Sequence, residues 1–225
     1  MRLNKSFIVK RSAKAPKEML KALSQLSAYI YDSLAEGHSI WIAQKEGRAK
    51  DGFDQTDPAL LKMLQLQGRK QKKEFAEYVR ELKIVPVSIS YQYEPCAIAK
   101  AKELYHKQQH GQYVKQQGED IASIVEGFST AKGHVHLAFG EPIESGCESP
   151  EELAKTIDQQ IVDSFFLHPG NYIAGGCKEA VVDKKDAEAF YARLAKVPDE
   201  LKPLVLAMYA KPFHRKAELT NSELA

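Results

Sequence analysis

The stretch Ser39–Asp57 reads SIWIAQKEGRAKDGFDQTD, and the fold class turns on whether it holds a core strand. Ile40, Trp41, Ile42 and Ala43 form a short apolar run of the kind a buried strand uses; it breaks at Gln44-Lys45-Glu46-Gly47-Arg48, where charge takes over. A carboxylate, a glycine and a guanidinium at the carboxyl end of a core strand make a loop that can approach an anion closely. Gly47 has no side chain in the way, and Arg48 offers a planar fork of donors. A charged turn after a strand is also an ordinary surface feature, so alone this loop reads as a turn before it reads as a site.

Its company along the chain changes that balance. Upstream, Phe7-Ile8-Val9 reads as a short buried strand ending in Lys10 and Arg11. Pro16 then suits a first helical turn, and Met19, Leu20, Leu23, Leu26, Ile30 and Leu34 recur at helical spacing until Gly37. Strand, helix and the run at Ile40 make the pattern of a βαβ unit with a parallel pair. Ligands of such sheets gather at the carboxyl ends of the strands, so Lys10, Arg11, Glu46 and Arg48 are expected on one edge.

Downstream, Asp57-Pro58 caps a helix carrying Leu60, Leu61 and Leu64 that ends near Gly68. A second helix buries Phe75, Tyr78, Val79 and Leu82, with Arg69, Lys70, Lys72, Lys73 and Arg80 on a solvated face or against anionic headgroups. Ile84–Ser90 is strand-like, and its Pro86 suits a bulge or an unpaired edge. Ala97–Lys107 and Val114–Ser123 suit helices, with a polar stretch from His106 to Gly118 between them. His134–Phe139 alternates cleanly and meets Gly140-Glu141-Pro142-Ile143. Ser149-Pro150-Glu151-Glu152 reads as a capping box opening a helix that buries Leu153, Ile157, Ile161 and Phe165. Helices are expected near 183–196 and 199–209, with a loose polar tail from 218 to 225.

The totals exclude several classes. With 225 residues, 44% of them hydrophobic, one domain over 1–217 suffices. A net charge of +2 provides no global drive towards nucleic acid, so no nucleic-acid partner is expected and any anion preference must be local. Cys96, Cys147 and Cys177 lie far apart, indicating neither a disulfide framework nor a zinc site, and they suit a reducing cytosol. His134 and His136 share a strand face, but two imidazoles without a third ligand read as structural, so no metal is expected. No run is long enough to cross a bilayer, which leaves peripheral contact with the inner face of a membrane.

In order and content, Phe7–Arg11, Ile40–Arg48, Ile84–Ile89 and the Gly-Glu-Pro-Ile at 140–143 resemble four blocks of the glycerolipid acyltransferase family, which includes glycerol-3-phosphate and lysophosphatidate acyltransferases. The resemblance implies an α/β fold with a mixed, largely parallel sheet flanked by helices. It implies acyl transfer from acyl-CoA or acyl carrier protein to a phosphorylated alcohol or lysophospholipid, in phospholipid synthesis and without a cofactor. Arg11 matches the arginine of the second block, Glu46 and Gly47 the glutamate and glycine of the third, and Pro86 the fourth. Lys10, Arg11, Glu46, Gly47, Arg48, Lys50 and Pro86 are thereby the expected substrate-binding residues.

The chain departs from the family in two places. The third block usually reads Phe-Pro-Glu-Gly-Thr-Arg, whereas here lysine replaces the proline and Arg48 occupies the threonine position; Arg48, Lys50 and Lys45 all compete to hold the phosphate. The family's catalytic base is the histidine of a His-x4-Asp motif, and no histidine here has an aspartate at that spacing; His136 with Glu141 comes nearest. The resemblance therefore implies a shortened enzyme missing its first strand or strands and its catalytic loop, and inactive alone. The other reading is a non-catalytic module that binds an anion or a lipid surface. Either way, exposed apolar surface is expected to make the chain associate with itself, a membrane or a partner.

Overall fold

Asp57 and Pro58 open a helix as their chemistry requires. The Asp57 carboxylate accepts the Ala59 amide at 2.9 Å, and Pro58 takes the first turn, where a missing N–H costs nothing. The computed structural model describes residues 15–45, 49–177 and 182–222. In order these form α1 (Pro16–Ala35), α2 (Pro58–Lys70), α3 (Phe75–Leu82), β1 (Val87–Tyr91), α4 (Ala97–His110), α5 (Glu119–Ser129), β2 (Val135–Phe139), α6 (Pro150–Ser164), α7 (Pro169–Ala174), α8 (Lys184–Leu194), a 3-10 turn (Asp199–Leu201) and α9 (Lys202–Ser222). They fall into two compact units, one drawn from 15–45, 55–85 and 141–158, the other from 49–54, 86–140, 159–177 and 182–222.

The expected α/β architecture, with its largely parallel sheet, is overturned. Among the described residues the only sheet is a two-stranded antiparallel ribbon, β1 on β2, running from Val87 opposite Phe139 to Tyr91 opposite Val135. The βαβ unit fails at its second strand. Ile40–Ala43 pairs with no strand, and Trp41 is left 66% exposed. An apolar run becomes a strand only when a neighbouring edge completes its backbone hydrogen bonds, and here none does. The first strand, expected at Phe7–Val9, lies outside the described residues. The parallel pair that was to carry two basic corners to one edge is thus not built.

In the first unit, α1 and α2 meet at Ser27, whose hydroxyl donates to the Leu64 carbonyl at 2.7 Å and accepts the Gln67 amide at 3.0 Å. That serine is buried because it satisfies two groups near the end of the neighbouring helix. Tyr31 stacks on Tyr78 with ring centroids 5.8 Å apart, and Gly68 lets α2 close on the Tyr78 ring, which a Cβ there would meet at 2.5 Å. Leu61, Leu64, Phe75, Val79 and Leu82 fill the space between, close to the expected faces. Ser149 caps α6 by accepting the Glu152 amide at 3.2 Å, but the Glu152 carboxylate returns to the Glu148 amide rather than to Ser149.

In the second unit, Ala101, Val197, Leu201 and Val205 form the core, flanked by Ile98, Tyr105 and Leu194. Tyr209 organises the polar side: its hydroxyl accepts the Glu94 amide at 2.7 Å, and its carbonyl accepts the Asn171 side-chain amide at 2.9 Å. Burial pushes this phenol up to about 12. Helix α9 begins one 3-10 turn later than expected and continues to Ser222, past an internal Pro212. The expected second helix of the 97–123 region starts instead at Glu119, after Gly118 at φ +85°, and runs to Ser129.

Candidate functional site

Of the expected substrate-binding residues, Lys10, Arg11, Glu46, Gly47 and Arg48 lie outside the described residues. Lys50 and Pro86 are described, both in the second unit, and each is tied into the fold.

Lys50 opens a short segment, 49–54, held by α4 and α9. Its ammonium donates to the Glu103 carboxylate, which also receives Lys107 at 3.0 Å one helical turn on. The Glu103 side chain is 9% exposed and that of Lys50 20% exposed, so this pair is largely withdrawn from water. Burial pushes the Glu103 carboxyl up, but the hydrogen bonds from Lys50 and Lys107 outweigh it and hold the group below the ordinary carboxylate range. Lys50 therefore anchors the segment through α4, and its charge is already matched.

Two residues on, Gly52 takes φ +77° and lies so close to α9 that a Cβ there would sit 2.3 Å from the Met208 carbonyl oxygen. That oxygen belongs to the residue four before Pro212, which has no N–H to give it. The break in the helix ladder and the glycine opposite it fit together. Phe53 follows, with the Lys211 ammonium 5.0 Å and the Arg215 guanidinium 4.7 Å from its ring centroid, while Arg215 also donates to the Asp54 carbonyl. Arg215 and Lys211 are cations that sequence reading did not select. They stand on a helix expected to end at 209, and nothing local marks them as partners of a residue more than 150 positions upstream.

Pro86 is buried immediately before β1, and its carbonyl accepts the Gly140 amide at 2.8 Å. Standing just outside the strand, it forfeits no ladder donor, as its chemistry demands. In the first unit the Ile84 carbonyl accepts the Ile143 amide at 2.9 Å. The segments around Pro86 and around Gly140–Ile143 are thus joined by backbone hydrogen bonds.

A second polar cluster lies against the inner face of the ribbon. His134 and His136 are joined there by His168, which is 1% exposed, with His134 and His168 ring centroids 5.3 Å apart and Phe166 within 5.3 Å of all three. Burial holds the His168 imidazole below its ordinary value; a hydrogen bond to the Ser90 carbonyl works the other way, and the nearby His134 and His136 add to the lowering. Among the described residues no group of three His, Cys, Asp or Glu is placed to hold a metal ion. Among the described residues, the His168 Nε2, His136 Nδ1 and the Ser88 and Ser90 hydroxyls are buried without a hydrogen-bond partner. Sequence reading found the first two histidines by alternation but not His168, which lies 32 residues beyond His136.

Among the described residues no helix is long and apolar enough to cross a membrane. Comparison with protein-family models, with curated proteins and with solved structures finds no match to this chain, so the functional reading rests on its own residues.

Proposed function

We propose that this chain is the acceptor-binding body of a glycerolipid acyltransferase, able to hold a phosphorylated alcohol but not to turn it over alone. What carries the reading is the order of the four blocks along the chain, Phe7–Arg11, Ile40–Arg48, Ile84–Ile89 and Gly140–Ile143, the last two joined through the Pro86–Gly140 and Ile84–Ile143 hydrogen bonds. Acyl transfer needs a base for the acceptor hydroxyl, donors for the oxyanion and a grip on the acceptor. By the resemblance, the grip is the task of Lys10, Arg11, Glu46, Gly47 and Arg48. Lys50, matched by Glu103, serves as the anchor of residues 49–54. No histidine in the 225 residues has aspartate at the His-x4-Asp spacing, so the base is not supplied here.

Calorimetric titration of the purified chain with sn-glycerol 3-phosphate, with glycerol as control, tests this. Saturable binding of the phosphorylated alcohol is expected, weakened at least about tenfold by Arg48→Ala, a loss of roughly 1.4 kcal/mol. Acyl-CoA and acceptor together should release no free thiol above the blank. Absence of binding at millimolar ligand refutes the reading, as does thioester turnover undiminished by Glu46→Gln and Arg48→Ala.

A further inference from the structure

In the second unit, two elements are mounted with their apolar sides outward. On α5, Ile121, Ile124, Val125 and Phe128 recur at i, i+3, i+4 and i+7 and are 69%, 57%, 58% and 85% exposed. The side of α5 turned to the protein carries small residues instead: Ser123 is buried, its carbonyl accepting the Cys96 thiol at 3.6 Å, and Gly127 lies beside the same sulfur. The ribbon repeats the inversion. Ser88 and Ser90 are each 2% exposed on its inner face, while Ile89, Leu137 and Phe139 stand outward at 39%, 49% and 67%. A helix stripe and a strand face of this kind ordinarily point into a core.

We infer that this apolar side of the unit is an interface between two copies of the chain. Three observations favour a second copy. The exposed apolar residues of the two elements amount to on the order of 800 Å² per copy, about what a specific interface takes from each partner. The two elements are joined by only five residues, 130–134, so they lie within about 20 Å of one another along the chain. Neither the α5 stripe nor the ribbon face contains a charged residue, so a two-fold axis across them opposes no like charges.

The charges around the stripe point the same way. Helix α5 carries Glu119, Asp120 and Glu126 and no lysine or arginine, the reverse of the cationic flank that holds an amphipathic helix on anionic lipid. The amino end of α5 is settled within the chain, Asp120 by Lys115 at 2.5 Å and Glu119 by the Tyr113 hydroxyl at 2.7 Å, and antiparallel pairing of two α5 helices opposes their dipoles favourably.

Sedimentation velocity of the full chain from about 5 to about 500 µM is the test, a range that follows a reversible pairing in the micromolar regime. A monomer–dimer equilibrium is expected across it, with Phe128→Asp and Leu137→Lys each raising the dissociation constant at least about tenfold. Both side chains are largely outside the fold, and an unchanged circular dichroism spectrum with an unchanged melting midpoint in dilute solution verifies that the variants fold. Glu126→Gln, off the stripe, leaves the dimer intact. A monomer at every concentration overturns the inference, as does a dimer indifferent to both variants. Binding of a monomeric chain to phosphatidylcholine vesicles, lost in Phe128→Asp, overturns it too and assigns the face to a bilayer.

Discussion

Replacing Glu103 by glutamine keeps the shape of the side chain and removes its charge, leaving the Lys50 ammonium, whose side chain is 20% exposed, without its counter-ion. Breaking one partner out of a largely buried pair costs about 3 kcal/mol, because the remaining charge is neither solvated nor paired. Lys107 loses little in this variant, since its side chain is 45% exposed and its ammonium can turn to solvent. Lys50→Met alone should cost only about 1 kcal/mol, as Lys107 still neutralises the carboxylate. The double variant Lys50→Met/Glu103→Gln removes both desolvated charges but keeps a largely buried amide, so it should cost about 2 kcal/mol where independent losses would add to about 4, giving a coupling of about 2 kcal/mol. In scanning calorimetry at neutral pH, Glu103→Gln should lower the midpoint by roughly 6–12 °C for a chain of this size.

The pH dependence of that loss follows from the direction of the shift. The folded carboxyl titrates below its ordinary value of 4.5, so its stabilisation is fully present above that pH and is lost as the pH falls through the folded value. Wild type and Glu103→Gln should therefore converge in acid. A coupling below about 0.5 kcal/mol, within the additivity expected of unconnected sites, would refute the claim that this pair anchors residues 49–54.

Gly52→Ala should cost about 3 kcal/mol or more, combining the positive-φ penalty with a collision against the Met208 carbonyl, whereas Gly37→Ala, at φ +82° with nothing within 4 Å, should cost only the backbone part, about 1 kcal/mol; urea unfolding of both variants checks the difference. Gly68→Ala forces a methyl into the Tyr78 ring, and a loss of about 1–3 kcal/mol in the same assay is expected. His168 titrates below its ordinary 6.5 when folded, so the unfolded chain binds a proton first and stability falls as the pH drops below that value. The slope is at most about 1.4 kcal/mol per pH unit for this one group. Unfolding of wild type and His168→Gln between neutral pH and pH 5 should show the slope in the first and less of it in the second.

Helix starts were legible wherever one residue does the work alone. Asp57 with Pro58, and Ser149 with Pro150, announce themselves because capping is local chemistry. The alternation of Val135–Phe139 announced a strand in the same way. The partner of a strand is not local information. Ile40–Ala43 and Val87–Tyr91 have similar apolar character, yet only the second finds an edge, and that edge runs antiparallel. Period without polarity was the second blind spot: the apolar stripe of α5 has helical spacing, but nothing in that spacing says that Ser123 and Gly127 face inward. At the candidate site, Lys50 was visible, while Glu103, Lys211 and Arg215 were not. Matching an ion pair or a cation over a ring across that much chain requires the fold itself.

The clasp on Phe53 straddles the weak point of α9. Lys211 precedes Pro212 and Arg215 follows it, so once Phe213 leaves Tyr172 and Lys216 leaves the Asp163 and Phe165 carbonyls the helix can open from its far end as far as the proline without disturbing its packed first turns. Such opening frees the ring from one side and the Asp54 carbonyl from its donor, loosening residues 53 and 54. Amide exchange should accordingly report two protection classes within a single helix, with residues 213–219 opening together with 53–54 and before residues 202–210.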